Sequence, residues 1–242
     1  YPAVLPIITY ATLSGSFNLG LISLTSPYVG FISNDVANGS VDLVVTSGPA
    51  PPRSITWSGR DANNGNALTS VWDIGATADW LSNSTPVTYN DNGGLGGDVV
   101  TLDDSGATST LTLATTVSPT GIIVTNDALD YTINGSGVAI AGKGNLTKQG
   151  SKTLVLDNTG GVSLSGGITI NGGELQIGAG DNGGGLGSPG SPVVDNALLV
   201  IDRTDGQLTI SNAISGSGDV SDTGSGTLTL TGNNSFSGAL NV

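Results

Sequence analysis

One strand-and-turn segment occurs twice in this chain, and such a repeat restricts the fold more than any other feature. Residues 144–156 align with residues 218–230 at an offset of 74, and residues 165–170 align with residues 237–242 at an offset of 72. Apolar residues alternate with polar ones in both copies, which predicts β-strands, and Gly and Asn residues between the runs favour tight turns. A recurring unit of this kind is typical of a solenoid.

The spacing of the strands indicates the type of solenoid. Predicted strands begin at Leu154, Leu175 and Leu198, at successive offsets of 21 and 23. This spacing suits one turn of a parallel β-helix with about three short strands per coil. We therefore expect an all-β fold, a right-handed parallel β-helix (β-solenoid) with a stacked core of Leu, Ile and Val. Both ends of such a stack present unpaired strand edges.

Composition excludes several classes of protein. The 242 residues include 39 Gly, carry a formal net charge of −13, and contain no Cys and no His. The negative charge repels nucleic acid and anionic membranes. No apolar run approaches the length of a transmembrane helix, which needs roughly 18 residues or more. Without Cys and His, disulfides, thiol catalysis, Ser-His-Asp catalysis and the usual zinc sites are excluded.

The chain divides into three predicted parts. Residues 1–48 form an N-terminal β segment that we interpret as a junction or cap, with alternating runs at Leu5–Tyr10, Leu19–Leu24, Val29–Ser33 and Val41–Val45. Residues 49–98 hold a proline linker and an irregular Trp-rich region, and residues 99–242 hold the solenoid, with copies near 142–178 and 216–242. Because the chain begins at Tyr1 and stops within a repeat, we interpret it as a piece of a longer protein.

Aromatic and basic residues supply the first candidate sites. Trp57, Trp72, Trp80 and Tyr89 predict either a stacking platform for sugar rings or a hydrophobic plug at one end of the solenoid. The basic residues of the first repeat are expected on a solvated face, where at most they contact another acidic subunit; they are Lys143, Lys148 and Lys152.

Acidic residues supply the remaining candidates. A glycosidase needs two carboxyl groups that face one bond, but adjacent Asp103 and Asp104 in a strand would point to opposite faces. We interpret these residues, like Asp127 and Asp130, as turn caps and expect no catalytic residue and no enzyme. The run from Gly93 to Thr101 fits the calcium-binding nonapeptide of β-rolls, which normally occurs in tandem. Its candidate calcium-site residues are Gly93, Gly94, Gly96 and Asp98, and the alternative is a Gly-rich loop before a strand; no other cofactor is expected.

The repeats also resemble a known family. The segments GNLTKQGSKTLVLDNTGG, SGGITINGGELQIG and SGSGDVSDTGSGTLTLTGNNSFSGALNV are similar to the autotransporter-associated β-strand repeat. The Trp-rich segment resembles the region that often precedes such repeats. This resemblance implies a passenger-type protein at the bacterial cell surface or outside the cell. The first copy departs from the family pattern at residues 160–162, where Asn and an aromatic residue are usual.

Three functions are open at this point. The first is an extracellular structural protein that polymerises head to tail by strand addition, with copies of itself as partners and with Leu240 and Val242 of the last repeat at one junction. The alternative is an adhesin that binds surface glycans through the tryptophans. The third is a polysaccharide-degrading enzyme.

Overall fold

The computed structural model describes residues 2–12, 14, 22–25 and 27–242, and these residues are almost entirely β-structure. They form two compact units, residues 1–51 and 52–242. Within the described part, the only helical segments are 3-10 turns at Ala62–Asn64 and Asn92–Gly94. No helix in that part is long and apolar enough to cross a membrane.

The first unit is a three-stranded antiparallel sheet. Its strands are β1 (Ala3–Thr9), β2 (Val29–Asp35) and β3 (Ser40–Ser47), in the order β1-β3-β2. Asp35 accepts hydrogen bonds from the backbone and side chain of Asn38, which closes the turn between β2 and β3. Three predicted runs therefore lie in strands. The fourth, Leu19–Leu24, falls partly outside the described residues, and its described part is not a strand.

The second unit contains all the remaining strands. The first six include the tryptophans: β4 (Ser54–Trp57), β5 (Arg60–Asp61), β6 (Ala67–Leu68), β7 (Val71–Trp72), β8 (Trp80–Ser82) and β9 (Thr85–Val87). The next nine are β10 (Gly97–Leu102), β11 (Thr110–Leu113), β12 (Pro119–Val124), β13 (Tyr131–Gly135), β14 (Ile140–Gly142), β15 (Asn145–Lys148), β16 (Thr153–Asn158), β17 (Val162–Leu164) and β18 (Ile168–Ile170). The last eight are β19 (Glu174–Asp181), β20 (Val193–Asp195), β21 (Leu198–Arg203), β22 (Gln207–Ile210), β23 (Ile214–Ser215), β24 (Asp219–Asp222), β25 (Thr227–Leu230) and β26 (Leu240–Asn241).

These strands coil into a β-solenoid of about seven turns, which confirms the predicted fold class. One face is a nine-stranded sheet in the order β23-β20-β18-β15-β12-β10-β4-β8-β9, and a second is an eight-stranded sheet in the order β26-β24-β21-β19-β16-β13-β11-β7. Two short parallel pairs, β14-β17 and β22-β25, lie outside these two sheets. Leu154 pairs with Leu175, as the spacing predicts, but Leu175 pairs with Leu199 and not with Leu198.

Alternation of side chains along each strand builds the core. Leu154 and Leu156 of β16 are fully buried, and Leu175 and Ile177 of β19 stack directly on them in the next coil. Each fully buried side chain of this size contributes roughly 1.5–3 kcal/mol. The intervening residues, Val155 and Gln176, lie on the opposite face of their strands and are only partly buried. Each short strand thus adds its buried apolar residues to one continuous aliphatic column.

The two copies of the repeat do not occupy the same faces. β15 of the first copy lies in the nine-stranded sheet, whereas its counterpart β24 lies in the eight-stranded sheet. Likewise β16 lies in the eight-stranded sheet, whereas its counterpart β25 pairs with β22. From β15 the chain makes three full coils to reach β23 in the same sheet, and β24, the counterpart of β15, is the next strand after β23. The second copy is therefore rotated by one face about the solenoid axis.

Candidate functional site

The tryptophans form one buried cluster at the start of the solenoid. Trp57 lies in β4, Trp72 in β7 and Trp80 in β8, and all three are fully buried together with Tyr89. The Trp57 and Trp80 rings meet edge to face at a centroid distance of 5.0 Å, and Trp72 meets Trp80 at 5.2 Å. Tyr89 packs edge to face on Trp72 at 5.5 Å. Such ring pairs stabilise a core beyond the area that they bury.

This cluster belongs to a cap that covers one sheet edge. β8 pairs antiparallel with β4, and β9 pairs antiparallel with β8, so two antiparallel strands extend the parallel sheet at its first coil. Pro86 in β9 lacks a backbone N–H and suits an outermost strand. The four rings offer no exposed face to a sugar, and their packing is that of a hydrophobic plug. We call residues 54–89 the tryptophan cap.

A buried carboxyl group lies within the tryptophan cap. Asp79 is 1% exposed, and its Oδ2 atom has no hydrogen-bond partner among the described residues. Burial, together with the charges of Asp73 and Asp61, raises the pKa of Asp79 to about 8. Sequence reasoning missed this burial, because nothing in the pattern distinguishes Asp79 from the other two aspartates of the cap.

The Asp98 carboxylate of the candidate calcium motif forms an ion pair with Arg53. Gly93 and Gly94 lie in a 3-10 turn, Gly96 follows it, and Asp98 lies in β10. The Asp98 carboxylate accepts hydrogen bonds from Arg53 Nη2 at 2.6 Å and Arg53 Nε at 3.1 Å, and also from two backbone N–H groups. The carboxylate that calcium would need is buried and is thus committed to an ion pair with Arg53, whose side chain is partly exposed. Among the described residues, no cluster of three or more acidic side chains suits a metal ion.

The aspartates of the coils accept backbone hydrogen bonds from the next coil. Asp104 accepts from the backbone N–H groups of Asp127, Ala128 and Leu129 at 2.8–3.1 Å, and these bonds lower the pKa of Asp104. Asp127 accepts from the backbone of the following coil in the same way, and so does Asp130. Asp103 accepts within its own turn. These carboxylates act as turn caps, as the sequence predicted.

The prediction for Lys148 is wrong. Lys143 and Lys152 are exposed, but Lys148 is fully buried at an inward position of β15, where it pairs with Val124 and Ile170. Its Nζ atom donates to the carbonyl oxygens of Gly150 and Gly172 in successive turns. Burial lowers the pKa of Lys148 to about 8. The alternation of Leu146 and Lys148 in β15 is the signal that could have identified this position.

Buried asparagines also hold the turns. Asn126 donates its amide group to the carbonyl oxygens of Leu129 and Thr153, and Asn158 donates to those of Val138 and Gly161. Each therefore joins a turn in its own coil to a neighbouring one. These contacts satisfy backbone groups that a tight turn would otherwise leave unpaired.

Apolar strand surfaces are exposed in both units. In β1, Val4, Leu5, Ile7 and Ile8 are each more than half exposed, and the other edge of β1 has no partner strand among the described residues. In the last coil, Leu240 is 51% and Val242 is 98% exposed. These two residues line a cleft of about 270 Å³ together with Asp222, Gly226, Thr227, Leu228 and Leu230.

Comparison with known proteins identifies the repeats. The family model of the passenger-associated-transport-repeat matches residues 146–177 and 220–242. These ranges coincide with the two copies found within the sequence, so the resemblance to the autotransporter passenger repeat is confirmed. Searches of curated proteins and of solved structures gave no match.

Proposed function

We propose that this chain has a structural role, without catalysis, at the bacterial cell surface. It carries two passenger-associated-transport repeats on a β-solenoid. The repeat family itself implies a secreted or surface location in bacteria. The solenoid supplies a stiff rod, because backbone ladders run along its axis and an aliphatic column fills it. The rod joins to neighbouring subunits or modules by strand addition, which gives head-to-tail filaments.

The free edge of β1 carries this proposal. Natural sheets normally protect such an edge with charged residues, Pro or a covering segment, because exposed edges pair with other chains. β1 has one Pro, but it has no Lys, Arg, Asp or Glu, and its apolar residues are exposed on both faces. The acceptor in the next subunit or module is the apolar cleft at Leu240 and Val242, where a further strand would extend the solenoid.

Electron microscopy of the purified chain at increasing concentration tests the proposal. We expect filaments of constant width, and we expect Ile7→Lys to shorten or abolish them because a charge on β1 blocks edge pairing. Leu68→Lys is the matched control, since Leu68 is 62% exposed, much like Ile7, but lies outside β1. Deletion of residues 1–10 is a second test of the same junction. Filaments of undiminished length after this deletion would contradict strand addition through β1.

The alternative function is a carbohydrate-binding adhesin. Its surface would have to lie away from Trp57, Trp72, Trp80 and Tyr89, which are fully buried. A glycan screen of the full chain separates the two functions, because a structural rod is expected to bind no defined glycan. Calcium is included as a further condition in both experiments, and equal behaviour with and without it would remove calcium from the proposal.

A further inference from the structure

The tryptophan cap holds an acidic group with an unpaired oxygen. Asp79 immediately precedes Trp80, and its backbone carbonyl accepts hydrogen bonds from Ser58 N at 3.0 Å and Ser58 Oγ at 2.8 Å. These bonds attach the segment before β8 to the end of β4. The Asp79 side chain is 1% exposed, and its Oδ2 is unpaired. Burial of a carboxylate is unfavourable unless a cation or several donors compensate it, so the neutral acid suits this position better.

The neighbouring charges increase this preference. Asp61 accepts a hydrogen bond from the backbone of Ala78 at 3.2 Å, and Asp73 accepts one from the backbone of Thr77 at 3.0 Å. Two carboxylates thus bind the residues directly before Asp79. The negative charges of Asp73 and Asp61 repel a further negative charge on Asp79 and so raise the pKa of Asp79 beyond the effect of burial.

The other ionisable and charged groups of the cap do not compensate Asp79. Arg60 directs its guanidinium group to the carbonyl oxygen of Asn66. Tyr89, which packs within the aromatic cluster, donates its hydroxyl to Asp91 Oδ1, and burial raises the pKa of Tyr89 far above its ordinary value. Tyr89 therefore stays neutral and does not supply a charge.

We propose that the tryptophan cap is a pH-sensitive closure, shut while the Asp79 side chain is a neutral acid and loosened when that side chain ionises. The ionised group is driven towards water, and Trp80 and β8 move away from β4 with it. The edge of β4 that β8 covers then becomes available to another strand. The cap would thereby make the first coil of the solenoid competent for pairing only above a set pH.

The direction of the pH dependence follows from the pKa of Asp79. The pKa in the closed cap is about 8, well above the ordinary value of 3.8. The closed cap therefore has its full stability below pH 4 and loses stability as the pH rises towards 8. For one such group, the equilibrium constant for opening increases about tenfold per pH unit across this range.

Tryptophan fluorescence can follow the cap alone, since the chain has three tryptophans and all lie in the cap. We would titrate the full chain with urea at about pH 5 and about pH 8 and record the tryptophan emission, with far-ultraviolet circular dichroism to follow the solenoid. For the wild-type chain we expect the fluorescence midpoint to fall to a lower urea concentration at the higher pH. For Asp79→Asn, which keeps the shape but cannot ionise, we expect that pH dependence to be strongly reduced.

Two comparisons keep this test decisive. Asp35→Asn is the matched control, because Asp35 lies in the first unit, and we expect it to retain the wild-type pH dependence of the cap. An Asp79→Asn variant with the wild-type pH dependence would overturn the proposal. If that variant does not fold, the wild-type chain decides alone: a fluorescence midpoint that is the same at both pH values also overturns the closure.

Discussion

Individual side chains in this protein act mainly on the backbone of neighbouring coils. Asp104, Asn126 and Lys148 differ in charge, but each of them bonds backbone groups of turns. Short turns leave many N–H and carbonyl groups without ladder partners, and these side chains supply the missing bonds. The residue whose role is most sharply defined is Arg53, because it is the only arginine or lysine that contacts the buried Asp98 carboxylate in the described part of the chain.

Removal of Arg53 is expected to be costly. Arg53→Ala leaves the Asp98 carboxylate, which is 2% exposed, without its cation. Because the Arg53 side chain is 39% exposed, solvent screens the pair, and we expect a cost of about 1–3 kcal/mol, below that of a fully buried pair. Arg60→Ala is the control, since the Arg60 side chain is exposed and we expect a change within about 0.5 kcal/mol. Urea unfolding followed by tryptophan fluorescence measures both. Equal free energies of unfolding for the two variants would contradict a structural role for the Arg53–Asp98 pair.

Turns decide the geometry at the scale of elements. The strands of the solenoid are short and chemically similar, so the coils stack closely only where the turns leave room for one another. Gly144 precedes β15, and a Cβ atom there would lie 2.1 Å from the carbonyl oxygen of Pro119 in the coil before. Gly166 stands in the same relation to Gly144 one coil later. These glycines are needed for close approach of backbones and not for an unusual φ angle.

A single added methyl group tests this stacking. We expect Gly144→Ala to destabilise the solenoid by roughly 1–3 kcal/mol, because two coils must separate to admit the new atom. Gly206→Ala makes the same change where a Cβ atom would meet nothing within 4 Å, and we expect it to be neutral or slightly stabilising. Thermal unfolding followed by far-ultraviolet circular dichroism compares them. If Gly144→Ala were as stable as Gly206→Ala, close stacking at this turn would be disproved.

The whole molecule combines a capped start of the solenoid with a strong negative charge. Strands β8 and β9 cover the edge of β4, so the nine-stranded sheet does not end at its first coil, and this agrees with the hydrophobic plug that the sequence offered as an alternative. The net charge is −13, and residues 1–52 contain no Lys or Arg. Both surfaces that we propose to join therefore lie on a negatively charged chain, and association must overcome repulsion.

Salt is accordingly expected to promote assembly. The Debye length shortens to about 8 Å near physiological ionic strength, so repulsion between subunits weakens as salt is added. We expect the lowest protein concentration that gives filaments to decrease between low salt and about 0.3 M salt. Light scattering with microscopy of the same samples measures this threshold concentration. Ile7→Lys, which we expect to shorten or abolish the filaments, again serves as the control. Filaments that dissolve as salt rises would indicate ionic attraction at the junction and would contradict apolar strand addition.

The sequence by itself determined the fold class and its repeating unit, because alternation, Gly-rich turns and a regular spacing of strand starts are local properties that a β-solenoid requires. It also indicated the turn-capping aspartates of the coils. It did not determine that the second repeat is rotated by one face, since the faces use the same strand pattern and the length of the turns between the copies sets the rotation. Only the tertiary structure decided that Lys148 and Asp79 are buried and that Arg53 forms an ion pair with Asp98. Burial of a polar side chain depends on which backbone and side-chain groups neighbouring coils place around it, and those neighbours lie far away along the chain.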